Sequence, residues 1–89
     1  MMEHRLKTWP EEFQATLDGR KTFEYQLDDR GGYKVGDTLV LQEWQPDQVR
    51  DGYALGHYTG RVFRAQVAYV LQKGFGLPEG YVVLSIFPA

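Results

Sequence analysis

The chain has 89 residues, of which 43 % are hydrophobic, 15 % aromatic and 25 % charged, with a net charge of −2 and no cysteine. That length holds one globular domain and no second, and the missing cysteines exclude disulfides and every cysteine-based zinc or redox centre. The slight acidic excess excludes a broadly basic binder of nucleic acid, so any such ligand must be held by a local basic patch or a pocket that reads a few nucleotides.

Met1-Met2-Glu3-His4-Arg5 lacks the apolar run of a signal peptide, and no apolar stretch approaches the ~20 residues of a membrane span. The expectation is a cytoplasmic domain away from membranes. Residues 4–8 read as a short strand. Pro10 suits a first helical position, and Glu11 and Glu12 favour the positive end of a helix dipole. Trp9, Phe13 and Leu17 recur every four residues, and Gly19 fits the left-handed position past a helix end. The spacing predicts a helix over 10–18 with Trp9, Phe13 and Leu17 towards the core.

Residues 21–27 alternate. Phe23, Tyr25 and Leu27 share one face and are expected to be the buried half of the strand; Thr22, Glu24 and Gln26 share the other. Turns are expected at 28–32 and 35–37, followed by a strand over 38–44. Residues 45–57 are polar and contain Pro46 and two glycines, which predicts the longest loop. A long strand follows over 58–71, with Phe63, Ala65, Val67, Tyr69 and Leu71 on one face. A loop over 74–80 and an apolar strand over 81–87 complete the chain. Five strands and one helix predict an α+β fold that is mostly β, a small closed or half-open five-stranded barrel with one main N-terminal helix, spanning 1–89 as a single domain.

The order of local motifs is distinctive: Gly19-Arg20-Lys21-Thr22-Phe23-Glu24, then Val35-Gly36-Asp37, Leu41-Gln42-Glu43-Trp44, Tyr58-Thr59-Gly60 and Gly80-Tyr81-Val82-Val83-Leu84. From His4 to Phe87 this order resembles the ASCH domain family of the PUA-like superfamily, and more narrowly a small branch of it of unknown function. The resemblance implies a PUA-like β-barrel with a cleft beside the helix, lined by the Gly-x-Lys-x-x-Glu segment, and RNA as the ligand. Some relatives in that family are small hydrolases of modified nucleosides, or nucleases. Two departures matter. Gln26 stands where family members often carry arginine, which removes a fixed cation. Glu24 stands where the amidohydrolase relatives carry threonine, so their nucleophile is absent; Thr22 lies one residue off in register.

The residues themselves allow several readings. Lys21 and Glu24 are three apart, which puts them on opposite faces of an uninterrupted strand. They share a site only if Lys21 lies in the turn before it. A carboxylate neighbour would hold Lys21 in its charged form, which suits a binding group better than a base. The plain alternative is a surface ion pair worth roughly 0–1 kcal/mol. Arg5, Lys7 and Arg20, with His4, could form a basic rim, joined by Arg61 and Arg64. Tyr58 and Trp44 flank the predicted loop and could stack a base, as could Tyr25, while Trp9 belongs with the core. His4 and His57 are too few and too far apart to indicate a metal, and no cofactor motif is present.

The expected function is therefore binding of RNA or of a nucleotide-like small molecule by a monomer, through Lys21, Glu24, Gln26, Arg20, Lys7, Arg5 and Tyr58. A small hydrolase of modified nucleosides or RNA is the enzymatic alternative, with Glu24 as base for water and Lys21 stabilising an oxyanion. A protein-binding adaptor acting through 45–57 is the third reading.

Overall fold

A computed structural model describes residues 1–28, 32–50, 53–74 and 76–89 of the chain. The elements are β1 (Glu3–Thr8), α1 (Pro10–Leu17), β2 (Phe23–Leu27), β3 (Thr38–Arg50), β4 (Tyr53–Leu71) and β5 (Tyr81–Pro88). The strands form one mixed sheet in the order β1-β3-β4-β5-β2. β1 runs parallel to β3, and the other neighbours are antiparallel. The fold is α+β and mostly β. No helix among the described residues is long and apolar enough to cross a membrane.

An eight-residue helix is marginal alone in water and needs tertiary packing. Phe13 supplies it, 1 % exposed and inserted among Leu39, Leu41, Ala65, Val67, Val82, Leu84 and Ile86. The helix stops by a Schellman arrangement. The Gly19 amide donates to the Thr16 carbonyl and the Arg20 amide to that of Ala15, with Gly19 at φ 77°. Trp9 and Leu17 do not join Phe13 in the core, contrary to the helical-stripe expectation; they are 45 % and 39 % exposed. Trp9 is the residue before the helix, with extended backbone angles, so helical spacing does not govern it. Thr16 is the other buried helix residue.

Three further expectations are corrected. Residues 45–57 are not a loop. Apart from 51–52, which lie outside the described residues, the segment pairs as the far end of the β3–β4 hairpin. β1 reaches along β3 only as far as Glu43, so the other side of β3 is free beyond that point. Pro46 sits there beside a register shift, where its missing N–H is tolerated. A projecting two-stranded arm also needs no apolar alternation, which is why its polar sequence reads as a loop.

In β4, Phe63, Ala65, Val67, Tyr69 and Leu71 do not share one face throughout: Ala65 and Val67 are buried, but Tyr69 is 61 % exposed. A bulge between Val67 and Tyr69 in the pairing with β5 swaps the faces, and Val70 takes the core side.

The third correction concerns β2. Phe23, Tyr25 and Leu27 are 46 %, 46 % and 45 % exposed, whereas Glu24 is 4 % exposed. Glu24 pairs with Leu84 and Gln26 with Val82, both core residues, so the polar side of the strand faces inward. This inversion creates the site.

Candidate functional site

β1 and β2 are the two outer strands of the sheet, and no ladder joins them among the described residues. They nonetheless line the same grooves, so the sheet curves round and leaves a seam between its edges. A small groove of about 270 Å³ is bounded by Lys7, Thr8 and Trp9 at the end of β1, Glu12 of the helix, Lys21, and Phe23 to Gln26 of β2. A larger groove of about 730 Å³ runs along β1 from Met2 to Lys7 and is closed by Gln26, Leu27, Asp28, Gly32, Tyr33 and Tyr58. Lys7 and Gln26 border both.

The small groove is built by the turn after α1. The Arg20 and Lys21 amides both donate to the Ala15 carbonyl, folding the chain back before β2 begins at Phe23. Lys21 thus lies in the turn and not in the strand, the condition under which it can meet Glu24. Its Nζ donates to Glu24 Oε2 at 3.0 Å and lies 3.0 Å from Glu12 Oε1. Gln26 Nε2 donates to Glu24 Oε1 at 3.0 Å. Both carboxylate oxygens of Glu24 are engaged, each by one donor, and a carboxylate accepts about four.

Burial of Lys21 pulls its pKa down, but hydrogen bonds and charge from Glu24 and Glu12 outweigh this and raise it above the ordinary lysine value. Lys21 therefore carries its charge throughout the physiological range. It can donate to an oxygen but cannot take a proton, so it is unsuited to act as a base.

The remaining candidates divide. Lys7 lies on the rim of both grooves with Nζ 4.3 Å from the centre of the Trp44 ring. Arg5 and Tyr58 line the larger groove; Arg5 is 3.4 Å from Glu3. Arg20 lines neither groove and pairs with Asp18 at 3.1 Å. Of the expected rim, His4 is mostly buried and bonds Asp37 at 2.8 Å through Nε2. Arg64 pairs with Glu3 at 2.9 Å. Arg61 turns to Gln14 and the buried Glu43, its guanidinium 5.0 Å from the centre of the Phe13 ring. The aromatics exchange roles: Trp44 is buried, while Trp9 is half exposed on the groove with its ring 5.8 Å from that of Trp44.

Sequence reasoning missed Glu12 and Trp9 as groove residues. Glu12 looked like a helix-end charge and Trp9 like a core residue. The available signal was Pro10, which puts Trp9 just outside the helix and leaves Glu12 in its first turn, near the start of β2.

Residues 3–86 match the model of a domain of unknown function, DUF3850. An uncharacterised 12.9 kDa protein in the GpA 3′ region of Escherichia phage P2 is 35 % identical over 81 residues, which are 91 % of this chain and 64 % of that relative. The chain thus spans somewhat less than two thirds of the phage protein's length.

Proposed function

This chain belongs to the DUF3850 family, and from the geometry of its seam we propose that it binds a nucleotide, free or as a unit of RNA. The observation that carries the reading is Glu24, a carboxylate 4 % exposed, on the inward side of an edge strand and beside a groove. An edge strand made only for folding would turn Phe23, Tyr25 and Leu27 inward.

The remaining acceptor capacity of Glu24 suits the amino and imino N–H groups of a base. Trp9 offers a ring face at the groove wall for stacking. Lys7 and Arg5 follow along β1 into the larger groove, where they suit a phosphate. The chain's overall acidity is no obstacle to this mode, because the contacts are few and local. The ASCH resemblance belongs to the same reading. It implies a PUA-like barrel with the Gly-x-Lys-x-x-Glu segment walling a cleft beside the helix; Lys21 and Glu24 of that segment line the small groove, which supports the reading.

The test is a backbone-amide titration with nucleosides, nucleoside monophosphates, short single-stranded RNA, an RNA hairpin and matched DNA, at low and moderate salt. Shifts should cluster on residues 19–26 and 3–8. Glu24→Gln, which retains the shape but not the charge, should weaken binding about tenfold or more. Lys7→Ala should weaken only ligands that carry phosphate. Arg20→Ala should change nothing. If no ligand shifts the seam, or if Glu24→Gln and Lys21→Ala both leave every affinity intact, the reading is wrong.

A further inference from the structure

The inversion of β2 that turns Glu24 into the seam also turns three apolar side chains outward. They meet others there. Phe23 lies opposite Ser85, Tyr25 opposite Val83 and Leu27 opposite Tyr81. On the other side of β5, Tyr69 lies opposite Ser85 and Leu71 opposite Val83, because the bulge after Val67 has brought Tyr69 to this side. Directly opposed residues share a face, so these strands carry one continuous outer surface, extended by Phe87. Phe23, Tyr25, Leu27, Tyr69 and Phe87 are 45–61 % exposed.

Taking each aromatic side chain at about 200 Å², the exposed apolar area is on the order of 500 Å². That lies in the upper half of the range for the largest patch on an ordinary monomer, about 300–600 Å². It approaches the ~800 Å² per partner of a standard interface.

The charges say what covers it. None of these positions is charged, whereas the outer side of the neighbouring half of the sheet carries Glu3, Arg5, Lys7 and Arg64. The cation at the edge of this face, Lys21 with its Nζ 5.5 Å from the centre of the Phe23 ring, is already paired with Glu12 and Glu24, so a polyanion stacking on the aromatic rings would have to displace two carboxylates to use it. The Tyr25 and Tyr81 rings already stack on each other, 5.2 Å apart and 18° from parallel. A two-fold contact, by contrast, sets each patch against its own copy, and an uncharged patch does this without like-charge repulsion. We infer that the outer face of β2, β5 and the end of β4 is a homodimer interface, formed by face-to-face packing with a second copy of this chain. The pairing leaves Glu24 and Gln26, on the polar side of β2, uncovered in each copy, but Phe23, Tyr25 and Leu27 also border the grooves, so the test reads the dimer through Tyr69 and Phe87, which line neither.

Sedimentation velocity over a concentration series tests it on the intact protein. The expected result is a reversible dimer with a micromolar Kd. Tyr69→Lys and Phe87→Lys, both outside the grooves, should each weaken it about tenfold or more. Val62→Lys, at an exposed apolar site away from the patch, should leave it unchanged. Because a patch variant could fail to fold, a second measurement uses the unaltered protein: isotope-filtered NOEs in a mixture of labelled and unlabelled chains should connect the Tyr69 and Phe87 rings across the dimer. A monomer at every concentration overturns the inference. So does a dimer whose intermolecular NOEs avoid these rings, or one that survives both patch substitutions. RNA that shifts Tyr69 and Phe87 would instead make the face a stacking platform, and would overturn it too.

Discussion

Asp37 shows how one buried side chain can hold several parts of the chain. It is 2 % exposed and takes hydrogen bonds from the Met2 amide at 3.1 Å and the Lys34 amide at 3.0 Å, with His4 Nε2 at 2.8 Å. Burial pushes its pKa up, but the His4 contact and the two backbone amides outweigh this and hold it below the ordinary aspartate value. A carboxyl whose folded pKa is depressed contributes stability above its unfolded pKa, near 3.9, and loses that contribution as the pH falls through the folded value. Asp37→Asn should therefore cost about 2 kcal/mol at neutral pH and flatten the loss of stability below about pH 4. Urea melts across the acid range would measure both. An unchanged acid limb would mean that other carboxylates control acid unfolding. Lys21 is the opposite case, a cation held charged by two carboxylates, and it was legible in part. Its meeting with Glu24 was legible as a condition, that Lys21 lie in the turn after the helix end at Gly19, and the structure meets that condition. The involvement of Glu12 was not legible, because contact between a helix and a later turn has no local sequence signal.

Among the elements, the β3–β4 arm depends on one glycine. A Cβ at Gly56 would fall on the Gln45 carbonyl and lie 2.7 Å from the Trp44 ring. Backbone cannot give way there as a flexible side-chain end would. Gly56→Ala should cost about 1–3 kcal/mol, with a change in the emission of buried Trp44 and shifts along residues 44–58. A variant as stable as the parent would show that the arm does not pack on Trp44 as described. The arm was misread because β-propensity reflects packing on a half-buried surface, and an arm with no third strand has little of that surface to record. α1 was read to within a residue, since Pro10, the first-turn acids and Gly19 are local signals that do not depend on the rest of the molecule.

At the scale of the whole molecule, stability should be uneven. β4 is paired on both sides along its core portion, whereas β1 and β2 each leave one side to the seam. Amides of β4 should exchange orders of magnitude more slowly than the seam-facing amides of β1 and β2, and a seam ligand should slow the latter selectively. Uniform protection without ligand would mean that the seam is closed in solution.

The sequence by itself determined the number and type of the main elements, the helix end at Gly19 and the two-sided character of β2, because each rests on spacing or on one residue's backbone preference. Only the tertiary structure decided which side of β2 faces inward. Alternation has a period but no sign, and the sign comes from what stands opposite: Leu84 and Val82 on the core side, and an unclosed edge that lets a buried glutamate keep its lysine and its groove.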